Sequence, residues 1–381
     1  MRARDRLLAA LNHQEPDRVP IDLGAGLACS INVHAYDQLK RYLGLDTPTA
    51  VASRFSQTAD VEEVVLRQFG VDARQLRAGV IGTGEASTWA EAWEGLRDDW
   101  AVVWAKPACG QPYEVDSPLR RGEPTIADIA RYPWPDPNDP FLVAGLRERA
   151  AALREQTDYA LVLSLSYFPF TESHEIRGLD NWLMDLAGDR RFAEALIDAV
   201  TDVIVARLQR VLREVGDLVD VICWGDDVSI QQGPMISLEM FRQVVKPRYR
   251  RVMAALRQAT TAKVYFHSCG SVYWLIPELI DLGVDVLNPI QVSAANMDDT
   301  ARLKREFGQD ICFWGGGCNS QSVLPFGTAA DVREEVRRRI GDLAPGGGFI
   351  FAPVHTIQAE VPPANIVALY EAALESGQYL H

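Results

Sequence analysis

The sequence predicts an α/β fold, a single (β/α)8 TIM barrel over residues 1–381 with a hairpin and loop insertion in its N-terminal half. Three observations predict it. Short apolar, β-branched runs alternate with stretches of helical period through the second half of the chain. The chain has 381 residues and 48% hydrophobic content, enough for one large core, and barrels of this size commonly form one domain. Polar residues and glycines recur at the same end of successive predicted strands, the end where a barrel gathers its loops over one cavity.

Taken in order, Met1 to Arg6 leads into an amphipathic helix pattern, not the apolar core of a signal segment. Arg18 to Gly24 reads as an early strand with a glycine-rich exit, and Phe69 to Asp72 as a helix-to-strand turn. Between Asp98 and Ile126, alternating residues are interrupted by prolines and glycines, which predicts the hairpin and loop insertion over one barrel face. The Pro-rich stretch Tyr132 to Pro137 reads as a stiff connector. Then the βα repetition sets in. Strands are predicted at Tyr159–Ser164, Leu218–Trp224, Ala262–Phe266, Val284–Leu287, Asp310–Trp314 and Gly348–Ala352. Helices are predicted at Asn181–Val215, Phe241–Ala259, Val272–Leu282, Asp299–Phe307 and Ala329–Leu343.

Composition narrows the function classes. Lys plus Arg total 38 against 52 Asp plus Glu, and a formal charge of −14 disfavours nonspecific attraction to nucleic acid or anionic lipid. No apolar run approaches the roughly 18 residues of a membrane span, so a cytoplasmic protein acting on a small molecule is expected. The six cysteines, Cys29, Cys109, Cys223, Cys269, Cys312 and Cys318, are too scattered for a secreted disulfide framework, and reduced thiols are expected.

The chemistry gathers at the strand exits. His267 and Cys269, two good metal ligands one residue apart, close the Ala262–Phe266 run, and His355 stands in the same relation to the last one. Asp226 and Asp227, candidate catalytic carboxylates, follow the Leu218–Trp224 run; they read as a helix cap and a solvated neighbour, or as groups that hold a substrate cation or orient a ligand histidine. Asn288, Gln291 and Asn319 are the candidate substrate-binding side chains of the next two exits. Glu172, His174 and Glu175 lie beyond the Tyr159–Ser164 strand; they read equally as catalytic groups lining the cavity or as a solvated loop. Gly315 to Gly317 serves a tight turn or the close approach of backbone to a ligand.

These motifs carry a resemblance. From Arg6 to Leu11 and Pro16 to Pro20, through His267-Ser268-Cys269-Gly270, Gly283 to Gln291, Asn319 to Gln321 and Pro353-Val354-His355, to Pro362 to Ile366, the chain resembles the uroporphyrinogen decarboxylase superfamily. The resemblance implies a single (β/α)8 barrel and one of two chemistries: cofactor-free decarboxylation of uroporphyrinogen III, or zinc-dependent methyl transfer between corrinoids, thiols and methylated substrates. The decarboxylases carry an arginine-rich segment after the first strand; here that stretch, Asp22 to Asn32, contains no arginine. A substrate with eight carboxylates needs charge-paired recognition, so the methyltransferase branch is favoured.

In that branch the resemblance implies that His267 and Cys269 bind zinc, with His355 about where a second cysteine usually stands. Gln291 falls near the position of a carboxylate ligand in related methionine synthases. A thiol substrate would occupy the open position and attack a methyl group as thiolate. The corrinoid is expected on a separate protein, since the chain shows no Asp-x-His-x-x-Gly segment. The alternatives are a decarboxylase of a porphyrinogen or another carboxylated small molecule, and a barrel that binds without catalysis.

Overall fold

The structure is a computed structural model and describes residues 1–53, 55–79, 93–107, 110–165 and 167–379. Seven parallel strands form its centre. We label them β1 (Ala73–Arg77), β2 (Ala160–Ser164), β3 (Val221–Gly225), β4 (Lys263–His267), β5 (Val286–Asn288), β6 (Cys312–Trp314) and β7 (Phe349–Ile350). They pair in chain order, β1 beside β2 and so on to β7, in one sheet. The sheet curls until its edges face the same short segment. Ile21 bridges Phe351 beyond β7, Asp22 N–H donates to the Phe351 carbonyl at 2.8 Å, and the Ile21 carbonyl accepts from Asp72 N–H at 2.8 Å. The eighth position of the wall is therefore an extended turn of chain around Ile21. Its neighbour Pro20 has no N–H to extend the ladder, and the Ile21 N–H goes to the Asp72 carboxylate instead.

The barrel interior is filled by the alternate residues of each strand. Ala73, Ala160, Val162, Val221, Cys223, Tyr265, Val286, Cys312, Trp314 and Ile350 form one buried cluster, and Leu7 and Leu11 of the helix Ala3–Leu11 join it. A larger apolar cluster lies between the strands and the surrounding helices. Each interior position follows from the period of two: Tyr265 and His267 share a face, and so do Val286 and Asn288.

The strands predicted in the second half fall where the apolar runs are, each losing one to three residues at an end while β3, β4 and β5 gain one at the carboxyl end; the early strand read over Arg18–Gly24 forms only isolated bridges at Arg18 and Ile21. Three helix predictions need refinement, and of these Val272–Leu282 is helical only over Ile276–Leu282. The stretch Asn181–Val215 is two helices, Leu179–Gly188 and Arg190–Val215, because Asp189 leaves helical geometry at φ −128° and its side chain accepts from the Phe192 N–H. The stretch Phe241–Ala259 keeps its helical course but starts with a wide turn over Phe241–Val245 before the α-helix Lys246–Ala259. The insertion is a three-stranded antiparallel sheet, Trp93–Arg97, Val103–Lys106 and Tyr113–Asp116, beginning before the Asp98 boundary read from the sequence. Arg207 on the long helix pairs with Asp99 to dock it. Five of the cysteines are free thiols, and Cys109 lies outside the described residues. Among the described residues, no helix is long and apolar enough to cross a membrane.

Candidate metal centre

At the carboxyl end of β4, His267 is the last residue in the ladder and points inward. It pairs with Gly225 on β3 and Asn288 on β5. The glycine makes room for it: a Cβ at Gly225 would lie 2.2 Å from the His267 carbonyl oxygen and 2.7 Å from its Cβ. Asn288, fully buried, sets the imidazole. Its Nδ2 donates to the Trp314 carbonyl at 2.8 Å, so its Oδ1 must face His267 Nδ1, also 2.8 Å away. An acceptor there requires the proton on Nδ1, which leaves the Nε2 lone pair free.

That lone pair faces the Cys269 sulfur, with Nε2 and Sγ 3.4 Å apart. The backbone turns sharply after β4. Asp227 Oδ1 accepts from the Cys269 N–H at 2.7 Å, and Gly270 takes φ +92°, where an added Cβ would lie 2.7 Å from the Ile230 carbonyl. His355, beyond β7, completes the group. One ligand atom from each of His267, Cys269 and His355 lies within 4.8 Å of the others. Burial, reinforced by His267, lowers the His355 pKa to about 4, so its imidazole is neutral. Desolvation, with Asp227 adding to it, pushes the Cys269 thiol well above its usual range.

The donor set suits zinc. Two imidazole nitrogens and one sulfur are its ordinary ligands, and the 3.4 Å between Nε2 and Sγ is close to the roughly 3.5 Å expected between nitrogen and sulfur on a tetrahedral ion. Three protein donors leave one position for a substrate. Cys269 and His355 of the triad open on a cavity of about 480 Å³, whose walls also include Gln291, Gln321, Phe326 and Glu360. Among the described residues, no lysine or arginine lines it.

The other residues named from the sequence take distinct places. Asp226 is buried and accepts from the Phe170 and Thr171 N–H groups and the Thr171 hydroxyl, capping the helix Pro169–Arg177 from the adjacent strand exit. Burial pushes its carboxyl up to about 7 against those hydrogen bonds. Asp227 braces the Cys269 backbone. Glu172, His174 and Glu175 ride on the capped helix. Burial raises both glutamates well above the carboxylate range, with Glu175 adding to the shift at Glu172 and Asp98 of the inserted sheet acting on both. Burial lowers the His174 pKa, while Glu114 and Asp227 oppose it. Asn288 stands behind His267 with both ends of its amide used by protein groups. Asn319 Oδ1 accepts from the Gln321 and Ser322 N–H groups, so it shapes the turn that carries Gln321 to the cavity. Gln291 reaches the cavity, and its Oε1 accepts from the Gly270 N–H at 2.7 Å. Cys318 turns the other way, to Glu335 on the outer helix Ala329–Leu343.

Sequence reasoning missed Phe326, Gln231 and Gln321. Phe326 carried a signal, a large apolar residue just before a glycine and outside any amphipathic period.

The family signature of uroporphyrinogen decarboxylase (URO-D) matches residues 113–376. The chain belongs to the URO-D family. Within that family its similarity reaches enzymes of two kinds. It is 24% identical over 274 residues to a uroporphyrinogen decarboxylase from Pseudomonas paraeruginosa, covering 68% of this chain and 72% of that protein. It is 28% identical over 253 residues to a methylated-thiol–coenzyme M methyltransferase from Methanosarcina mazei, covering 62% of this chain and 58% of that one. Among solved structures, a methyltransferase from Methanosarcina mazei superposes with a TM-score of 0.65 at 17% identity, over 98% of this chain and 99% of that one. That likeness carries the fold: this URO-D member has the TIM-barrel fold.

Proposed function

We propose that this URO-D family member is a zinc-dependent methyltransferase, moving a methyl group between a corrinoid or methylated small molecule and a thiol. The observation that carries the reading is the convergence of His267 Nε2, Cys269 Sγ and a His355 nitrogen beside a cavity that, among the described residues, no lysine or arginine lines. Zinc held by these three side chains would supply the Lewis acidity that turns a thiol, ordinary pKa about 8.5, into a thiolate nucleophile at neutral pH.

The chain's own residues do the rest. Asn288 holds His267 in the tautomer that offers Nε2, and a ligating histidine oriented in this way keeps its geometry and basicity. Asp227 fixes the backbone that carries Cys269. The cavity walls hold substrate beside the triad. The corrinoid would come on a separate protein docked at this mouth. The cavity composition speaks against uroporphyrinogen as substrate, because among the described residues no lysine or arginine lines it to pair with the carboxylates, and Glu360 would repel them.

Elemental analysis of the purified protein tests the metal, and methylcobalamin demethylation in the presence of a thiol tests the chemistry. About one zinc per chain is expected, falling sharply in Cys269→Ala and in His355→Ala. Zinc content unchanged in both variants sinks the site. Turnover of uroporphyrinogen to coproporphyrinogen would establish the decarboxylase reading instead, and a folded protein with neither activity would favour a binding barrel.

A further inference from the structure

Beside the triad, a chain of side-chain amides runs in one direction. Gln291 Oε1 accepts from the Gly270 N–H, which leaves its Nε2 to donate to Gln231 Oε1 at 2.9 Å. Gln231 Nε2 donates to the Ser293 carbonyl and, at 3.1 Å, to Gln321 Oε1. Two backbone groups pin this direction. A peptide N–H only donates and a peptide carbonyl only accepts, so neither Gln291 nor Gln231 can turn its amide over without setting like against like. Gln321 is the end of the chain. Its oxygen is used, and its Nε2 hydrogens remain for the cavity that it lines together with Cys269 and His355.

The rest of the cavity narrows what that donor meets. Phe326, 76% exposed, and Pro325 offer an apolar surface. The cavity lining includes one carboxylate, Glu360, which is exposed. Among the described residues no lysine or arginine lines the cavity to pair with an anion at the Gln321 end, and an ammonium group would face the Gln321 N–H donors. An acceptor oxygen completes the chain instead, and hydrogen bonds in series polarise one another.

We propose that Gln321 Nε2 is the substrate-selecting donor of this cavity, and that the ligand is an uncharged molecule with an apolar body and an acceptor oxygen of the ether or carbonyl kind. The inference rests on reading the cavity as the substrate site, and it does not depend on zinc. Nothing in the triad itself specifies it. The amide chain does, by spanning the exits of β3, β5 and β6 and ending in a donor.

Fluorine NMR of the full chain, with para-fluoroanisole and para-ethylfluorobenzene as probes, tests the assignment. The two have nearly the same shape and differ in one acceptor oxygen. The ether is expected to bind roughly three- to ten-fold more tightly, the range of one net hydrogen bond. Gln321→Leu should abolish the preference and Gln321→Glu should reverse it. Zinc content, measured on the same samples, should stay the same in both variants, and a loss of zinc in the unsubstituted protein would count against the metal reading alone. Equal binding of the probes, binding of neither, an unchanged preference in Gln321→Leu, or displacement of the ether by tetramethylammonium would overturn the proposal.

Discussion

Asn288 Oδ1 and His267 Nδ1 stand 2.8 Å apart on adjacent strands, and the direction of the Asn288 amide is decided by a third strand, through the Trp314 carbonyl. The proton on His267 is thereby assigned by hydrogen bonding two positions away around the barrel wall. If the triad holds zinc, Asn288→Ala should weaken zinc binding about 10- to 100-fold. Chelator competition measures this, and an unchanged affinity would mean that Asn288 serves packing alone.

Zinc binding should also register as stability. A ligand at a hundred times its dissociation constant adds about 2.7 kcal/mol to the folded state. Thermal unfolding with and without a chelator should differ in the unsubstituted protein and coincide in Cys269→Ala, where the stripped forms have the same fold. Equal unfolding of both proteins with metal present would count against the site.

The closure of the barrel depends on Asp72. Its buried carboxylate accepts from Arg6 Nη1 at 2.7 Å, Arg18 Nη1 at 2.8 Å and the Ile21 N–H at 2.9 Å, joining the N-terminal helix, the closing segment and β1. Asp72→Ala leaves the Arg18 guanidinium without a carboxylate, while Arg6 keeps its pair with Asp17, and should cost about 1.5–3 kcal/mol. Urea unfolding reads the loss; a change below about 1 kcal/mol would show that the closure does not need the carboxylate.

Alkaline pH should unfold the protein through its tyrosines. Burial raises Tyr36 and Tyr167 to about 12, and it pushes Tyr249, Tyr265 and Tyr370 well above the usual tyrosine range. The folded state keeps these protons where the unfolded state gives them up. Their stabilisation is therefore fully present below pH about 10 and falls as pH rises beyond it. Tyrosinate absorbance should rise in one cooperative step with unfolding, and Tyr36→Phe should reduce the slope of stability against pH above 10. A gradual, non-cooperative titration would contradict this.

Some of the site was legible without coordinates. His267, Cys269 and His355 could be named because they follow apolar runs of period two, and a barrel turns such exits toward one mouth. The roles of their neighbours could not. Asn288 looked like a substrate contact because polar residues at strand exits usually face the cavity, but the β4–β5 register turns it against His267. Asp226 had two readings, and only the position of the helix Pro169–Arg177 selects the cap. Gln231 and Gln321 sit in loops with no periodic signal, and their alignment depends on three loops meeting.

By itself the sequence determined the βα repeat of the second half and the three candidate ligand types, because hydrophobic period and residue chemistry are local properties. Tertiary structure decided how the barrel closes around Ile21, which nitrogen of His267 is free, and in which direction the amide chain runs. Each of these depends on a hydrogen bond between segments far apart in the chain, whose distance and direction exist only once strand register and loop packing bring the partners together.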